Sequence, residues 1–235
     1  AAFDADGVTL VGGHTTAGDE LAVGFAVWGS AASPDALLRQ DGLAAGDRLI
    51  LTKPLGTGVL FAADAQGRAR GQWIEAAIAS MCRSNAAAAR IAREVGARAA
   101  TDVSGFGPAG HLAAMLRASQ ASARLALDAL PLLPGASTCL ALGLRSTAHQ
   151  ENARVRDALL IDPAAASRPE FDVLFDPQTS GGLLFGVAPA RADEALARLR
   201  EAGDRAACIG AVAEGAQQPA LLEIALTSGT APPAV

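Results

Sequence analysis

The chain has 235 residues, 51% of them hydrophobic and 18% charged, which excludes a mainly disordered protein. Its 24 acidic residues against 19 basic ones give a formal charge of −5, so there is no basic footprint for nucleic acid. No run approaches the roughly 18 apolar residues of a membrane span, and the length suits one large domain or two small ones.

In chain order, residues 8–11 form a short β-branched run closed by Gly12-Gly13 and read as a strand entering a tight turn. Residues 21–28, with Val23, Phe25 and Trp28, read as a second strand. The polar loop between them holds His14. Residues 30–46 have the look of a connection, and a domain boundary is expected there. Residues 48–52 are a third strand, followed by Pro54-Leu55-Gly56-Thr57-Gly58 and a short apolar segment at 59–63. One long helix is expected over 72–95, because Trp73, Ala77, Ile78, Met81, Ala88, Ile91 and Val95 recur at three- and four-residue steps. A short strand at 97–100 leads to Asp102-Val103-Ser104-Gly105-Phe106-Gly107, then a helix from Pro108 to about Ala118. Further strands are expected at 124–127, 183–187, 207–212 and 221–226, and helices at 135–144 and 190–201. Residues 146–170 are polar, interrupted by proline, and resist assignment. Residues 173–175 read as a strand end before Asp176. Strands and helices mix without strict alternation, which favours an α+β class.

Three glycine-containing loops follow expected strands, each with polar groups beside the glycines. Asp102, at a strand end, suits Mg²⁺, a hard cation that takes oxygen ligands, though from spacing alone a cap on the turn or helix that follows is the favoured reading. The loop 176–182 offers amide and hydroxyl donors to an anion, or is a plain turn. It is not a Walker loop, which needs Gly-Lys followed by Ser or Thr. His14 reads as an acid–base group, a ligand donor or a turn residue, and His111 as a packing or capping residue. His149 has no assigned role. Lys53, the only lysine, follows a strand within reach of a phosphate. Cys82, Cys139 and Cys208 are far apart and form no metal knuckle or disulfide framework. They read as small core residues, and a reducing cytoplasm is expected.

Five blocks stand in order: Leu10-Val11-Gly12-Gly13-His14-Thr15, the stretch 46–58 ending Thr52-Lys53-Pro54-Leu55-Gly56-Thr57-Gly58, Thr101-Asp102-Val103-Ser104-Gly105-Phe106-Gly107, Gly110-His111-Leu112, and Asp176-Pro177-Gln178-Thr179-Ser180-Gly181-Gly182-Leu183-Leu184. Together they resemble the selenophosphate synthetases (selenide, water dikinases) of the aminoimidazole ribonucleotide synthetase superfamily, along nearly the whole chain. The resemblance implies ATP-dependent conversion of selenide to selenophosphate with release of AMP and orthophosphate, Mg²⁺ as cofactor, and a homodimer. It implies nucleotide contacts by Gly12, Gly13 and His14, and Mg²⁺ binding by Asp102.

The same resemblance implies the end of a β-rich, half-barrel N-terminal domain (residues 1–32) and a linker (33–46). A two- or three-layer α/β domain would follow at 47–226, then a frayed tail at 227–235. The family's reactive Cys or selenocysteine, its nearby lysine and its further metal-binding aspartates have no counterpart in these 235 residues. The chain is therefore expected to be inactive alone. The alternatives are another ATP-dependent member of the superfamily, or a non-catalytic module that dimerises or docks through its first strands.

Overall fold

The computed structural model describes residues 2–5, 7–33, 37–213 and 221–227. Two compact units divide between Leu37 and Leu38. In the first, helix α1 spans Ala2–Ala5, and the ring of Phe3 meets that of Phe25 edge-on at 5.5 Å. The expected strands at 8–11 and 21–28 do not form there: both segments are irregular, and Leu21, Val23, Phe25 and Trp28 are exposed. Their composition suits a pleated surface, but a strand needs a neighbouring ladder, and among the described residues none forms one with either segment; Val8 N donates only to Phe3 O.

The second unit is a seven-stranded mixed sheet in the order β2-β5-β1-β6-β3-β7-β4. The strands are β1 (Arg48–Leu51), β2 (Ala99–Asp102), β3 (Ala123–Ala126), β4 (Leu159–Ile161), β5 (Leu183–Val187), β6 (Ala207–Val212) and β7 (Leu222–Ala225). β7 runs parallel to β3 and β4; every other pairing is antiparallel. Helices cover both faces, which makes three layers. Alternation along β1 shows why: Leu49 and Leu51 join the larger apolar cluster, while Ile50 joins the smaller one on the opposite face. The larger cluster takes α2 (Thr57–Asp64), α5 (Gly107–Ser119) and α6 (Ala136–Ala141). The smaller takes α4 (Ala86–Glu94) and α9 (Pro189–Glu201) through Ala88, Ile91, Ala195 and Leu199. The α+β class read from the sequence is the class observed.

Three local differences have clear causes. The single helix expected over 72–95 is two, α3 (Gly71–Cys82) and α4, broken where Arg83 turns extended. The break is held from afar: the Asn85 side-chain amide donates to Gly181 O at 2.8 Å, and Arg83 Nε pairs with Asp204 at 2.5 Å. Ser84 Oγ accepts from the Ala86 amide, closing the first turn of α4. Residues 38–46, expected as linker, belong to the larger unit. Arg39 O accepts from the Ala100 amide, Gly46 N donates to Val212 O, and Leu43 is buried. The unassigned stretch carries α7 (His149–Asn152), a 3-10 turn, β4 and α8 (Pro163–Ala166). Residues 173–175 end a 3-10 helix, Pro169–Phe175, rather than a strand. Of the expected tail, 228–235 lies outside the described residues, while Thr227 donates to the Asp128 carboxylate through both its amide and its hydroxyl.

Candidate functional site

Three of the sequence blocks converge at one end of β2, β5 and β1. Asp102 closes β2 opposite Leu183, the first residue of β5. Leu183 also exchanges bonds with Thr52 just beyond β1: its O accepts from Thr52 N at 3.0 Å, and its N donates to Thr52 Oγ1 at 2.8 Å. The loops 52–58, 102–107 and 176–182 are therefore neighbours because their strands are.

The first and third loops form one unit. Gln178 Oε1 accepts from the amides of Gly56 and Thr57 at 2.9 and 3.2 Å, and Pro177 O accepts from Gly58 N at 3.1 Å. The backbone N–H groups of Gly58 and Val59 face the Asp176 carboxyl and favour its charged form. These are the amides that the start of α2 leaves without intrahelical partners, so the segment Asp176-Pro177-Gln178 caps α2 from across the fold. Thr179 N completes the contact by donating to Thr57 Oγ1 at 2.9 Å. Within the loop, the amides of Gln178 and Thr179 and the hydroxyl of Ser180 are used by the protein itself, donating to Ser104 O, Thr57 Oγ1 and Met81 O. Of the two readings open from sequence, the structural one describes residues 176–178.

Burial governs the charges here. Asp176 is 2% exposed, and desolvation pushes its carboxyl up to about 7, against the opposing hydrogen bonds from Val59, Gln178 and Gly58 and the charge of Arg145. Gly58 permits the approach: a Cβ there would lie 2.6 Å from both Asp176 Oδ1 and Pro177 O. Gly58→Ala is expected to cost about 2 kcal/mol through overpacking, read as a lower urea midpoint; an unchanged midpoint would show that the contact is loose.

Lys53 does not reach outward. It is buried, and Nζ donates to Arg83 O at 2.6 Å and Ser180 O at 3.0 Å. Burial lowers its pKa, opposed by Asp204. The phosphate contact suggested by its position after a strand is replaced by a clamp on the loop. Ser180 sits in the left-handed region at φ 49°, with its hydroxyl donating to Met81 O, so both its side chain and its carbonyl hold a conformation uncommon outside glycine.

The second loop is where ligand-accessible groups remain. Asp102 is exposed, and its carboxylate has no hydrogen bond or ion pair among the described residues. Ser104 N donates to His111 Nε2 at 3.0 Å. An imidazole nitrogen that accepts from an amide is unprotonated, and burial accordingly lowers the His111 pKa, with Asp102 opposing. Read from the sequence as a packing or capping residue, His111 holds the amide of Ser104 in the turn before α5. Phe106 lies exposed, its ring centroid 5.6 Å from that of His111. Among the described residues no three His, Cys, Asp or Glu side chains gather into a metal cage. The loop thus offers one carboxylate. That fits Mg²⁺, which is held by one or two carboxylates when waters and substrate phosphates complete its octahedron.

Gly12, Gly13 and His14 lie exposed in the first unit. Gly12 and Gly13 line a groove of about 740 Å³ whose walls include Phe3, Val11, Phe25 and Trp28. Burial pushes the Cys139 and Cys208 thiols up, so neither is an activated nucleophile. Cys82, expected in a core, is exposed.

Sequence reasoning missed two polar groups near these loops. Asn152 Nδ2 donates to Gly105 O at 2.8 Å and to Phe175 O at 3.1 Å. Asp172 collects Arg145 Nε at 2.7 Å and Arg156 Nη2 at 3.0 Å, with His149 Nε2 at 3.8 Å. The only local signal was the concentration of Arg, His and Asn in a stretch without periodicity.

Residues 44–219 match the family described as AIR synthase related protein, C-terminal domain. The chain belongs to the AIR synthase related proteins. Within them it is 41% identical over 209 residues to the selenide, water dikinase of Pelobacter propionicus and 40% identical over 206 residues to that of Geobacter metallireducens. Each alignment covers 88% of this chain and 60% of the relative, so the chain spans about 60% of the length of the curated relatives it matches. Solved structures share the fold. E. coli HypE, a hydrogenase maturation protein, superposes with a TM-score of 0.59 at 20% identity, over 83% of this chain and 50% of that one. HypE in complex with ATP gives 0.53 at 22% identity, over 74% and 44%. No helix among the described residues is long and apolar enough to cross a membrane.

Proposed function

We propose that the chain forms the C-terminal part of a selenide, water dikinase, which converts ATP, selenide and water to selenophosphate, AMP and orthophosphate. The observation that carries this reading is the 41% identity to a selenide, water dikinase across 88% of the chain. The convergence of the Asp102 loop with the other two motif loops at one sheet end supports it.

In this reading Asp102 is a Mg²⁺ ligand, and Gly12, Gly13 and His14 contact ATP. Mg²⁺ supplies neutralisation of phosphate charge, on which phosphoryl transfer depends together with positioning. The chain's own residues supply the positioning. Neutral His111 holds the Ser104 amide and so fixes the turn after Asp102, and the Asp176–Gln178 cap and the Lys53 clamp fix the loop beside it. The protein acts in the cytoplasm as a homodimer, in keeping with the exposed apolar residues of the first unit; light scattering of the full-length protein at twice the protomer mass is the expected result.

The 235-residue chain alone is expected to release no AMP from radiolabelled ATP with selenide and Mg²⁺, because the family's reactive Cys or selenocysteine and its lysine have no counterpart in it. The full-length protein is expected to release AMP and selenophosphate. AMP release without selenophosphate by the full-length protein would instead assign it to another ATP-dependent branch of the superfamily.

A further inference from the structure

Asn152 occupies an unusual place. Its side chain lies between two backbone segments far apart in sequence, the turn 102–107 and the segment that ends at Phe175 and opens the α2 cap. One amide nitrogen donates both of its protons, to Gly105 O and to Phe175 O. Both neighbours are carbonyls, so only the donor end of the amide can face them. The two segments are packed backbone to backbone at this point. Gln178 N donates to Ser104 O at 2.9 Å, and Gly107, at φ 70°, allows the close approach: a Cβ there would sit 3.0 Å from Asp176 O and Leu174 O.

The helix that presents Asn152 contributes little else. None of the residues of α7 is buried, so it adds almost nothing to the core. It is nevertheless anchored: the His149 ring stands edge-on to Phe175 at 5.8 Å and lies beside Asp172, which Arg145 and Arg156 hold by ion pairs. A short helix with no fully buried residue, fixed by an aromatic contact and an ion-pair cluster, delivers one amide to one place.

We infer that Asn152 is a positioning residue: it couples the turn after Asp102 to the cap segment 176–178, and so sets where the Asp102 carboxylate stands toward Mg²⁺. The inference rests on the proposed role of Asp102 and adds to it a residue outside the family motifs quoted above. Groups that orient a metal ligand without touching the metal are worth 10–100-fold in affinity or activity as a rule.

The test has two arms. In the 235-residue chain, Asn152→Asp places a carboxylate against two carbonyls, and Asn152→Leu keeps the bulk without the donors. Hydrogen exchange is expected to quicken about tenfold in peptides covering both 102–107 and 174–178, with β6 and α9 unchanged. Acceleration everywhere, in only one of the two segments, or in neither would overturn the coupling. In the full-length protein, the half-saturating Mg²⁺ concentration for ATP turnover is expected to rise about tenfold in both variants. Unchanged Mg²⁺ dependence in these variants, alongside a shift in Asp102→Asn, would overturn the positioning role. If Asp102→Asn itself leaves Mg²⁺ dependence unchanged while exchange quickens at both loops, the role of Asp102 falls and the coupling stands.

Discussion

Asp102→Asn in the full-length protein is expected to lower Mg²⁺-dependent ATP turnover on the order of 100-fold, with the melting curve essentially unmoved. The size follows from removing one anionic oxygen donor from a cation that stabilises phosphate charge, worth several kcal/mol, each 1.36 kcal/mol being tenfold in rate. The silence of the melting curve follows from the structure. Asp102 is exposed, it ends an edge strand, and its carboxylate holds no other described group. Substitutions at such positions usually change stability by no more than about 0.5 kcal/mol. If Asp102 were instead a turn or helix cap, Asp102→Asn would leave stability and turnover both nearly unchanged, because Asn caps as well as Asp, whereas Asp102→Ala would lose about 1 kcal/mol of stability and little turnover. Turnover within a few-fold of wild type would remove Asp102 from the Mg²⁺ site.

The second large effect is on stability against pH, and it comes from Asp176. Its folded pKa is raised to about 7, whereas an unfolded aspartate titrates near 3.9. Between these values the unfolded chain has released its proton and the folded chain keeps it. Stability therefore falls as pH rises through this window, and the loss is complete above about 7. The full cost is about 4 kcal/mol at 1.36 kcal/mol per unit, of which about 2.5 kcal/mol is expected between pH 5 and 8. Asp176→Asn cannot ionise. It is expected to be less stable than wild type at pH 5, where it loses an acceptor for Gln178 Nε2, by about 1 kcal/mol. Its urea midpoint should stay level with rising pH while that of wild type falls, so the curves converge or cross. Parallel curves for the two proteins would locate the titration elsewhere.

Both predictions turn on loops that the sequence made visible as motifs but not as partners. Strands β5 and β6 were legible to the residue because their apolar runs have sharp ends: Gly181-Gly182 before one, and the turn residues Gly203 and Asp204 before the other. The Asp176–Gln178 cap was not legible, because the amides it satisfies belong to Gly56 and Thr57, 122 and 121 residues away from Gln178. The break between α3 and α4 was hidden for the same reason. Periodicity runs across Arg83-Ser84-Asn85, and the contacts with Gly181, Asp204 and Lys53 that hold it open are all distant in sequence. Asn152 escaped notice because a single amide bridging two carbonyls leaves no periodic trace. Lys53 was misread because an outward reach is the default for a lysine, and only tertiary burial shows otherwise.

The strand order carries a consequence for biosynthesis. None of β1, β2, β3 and β4 neighbours another of these four in the sheet; each borders only β5, β6 or β7. As the polypeptide leaves the ribosome, the first four strands emerge without any ladder they can complete. Thr52, beside β1, waits 131 residues for its bonding partner Leu183. Such non-local pairing is slow to form and leaves strand edges open meanwhile. Within the described sheet, β1 to β4 therefore have no strand to pair with until β5, at residues 183–187, is made. β5 lies between β2 and β1, so its arrival is what lets the ends of all three strands come together.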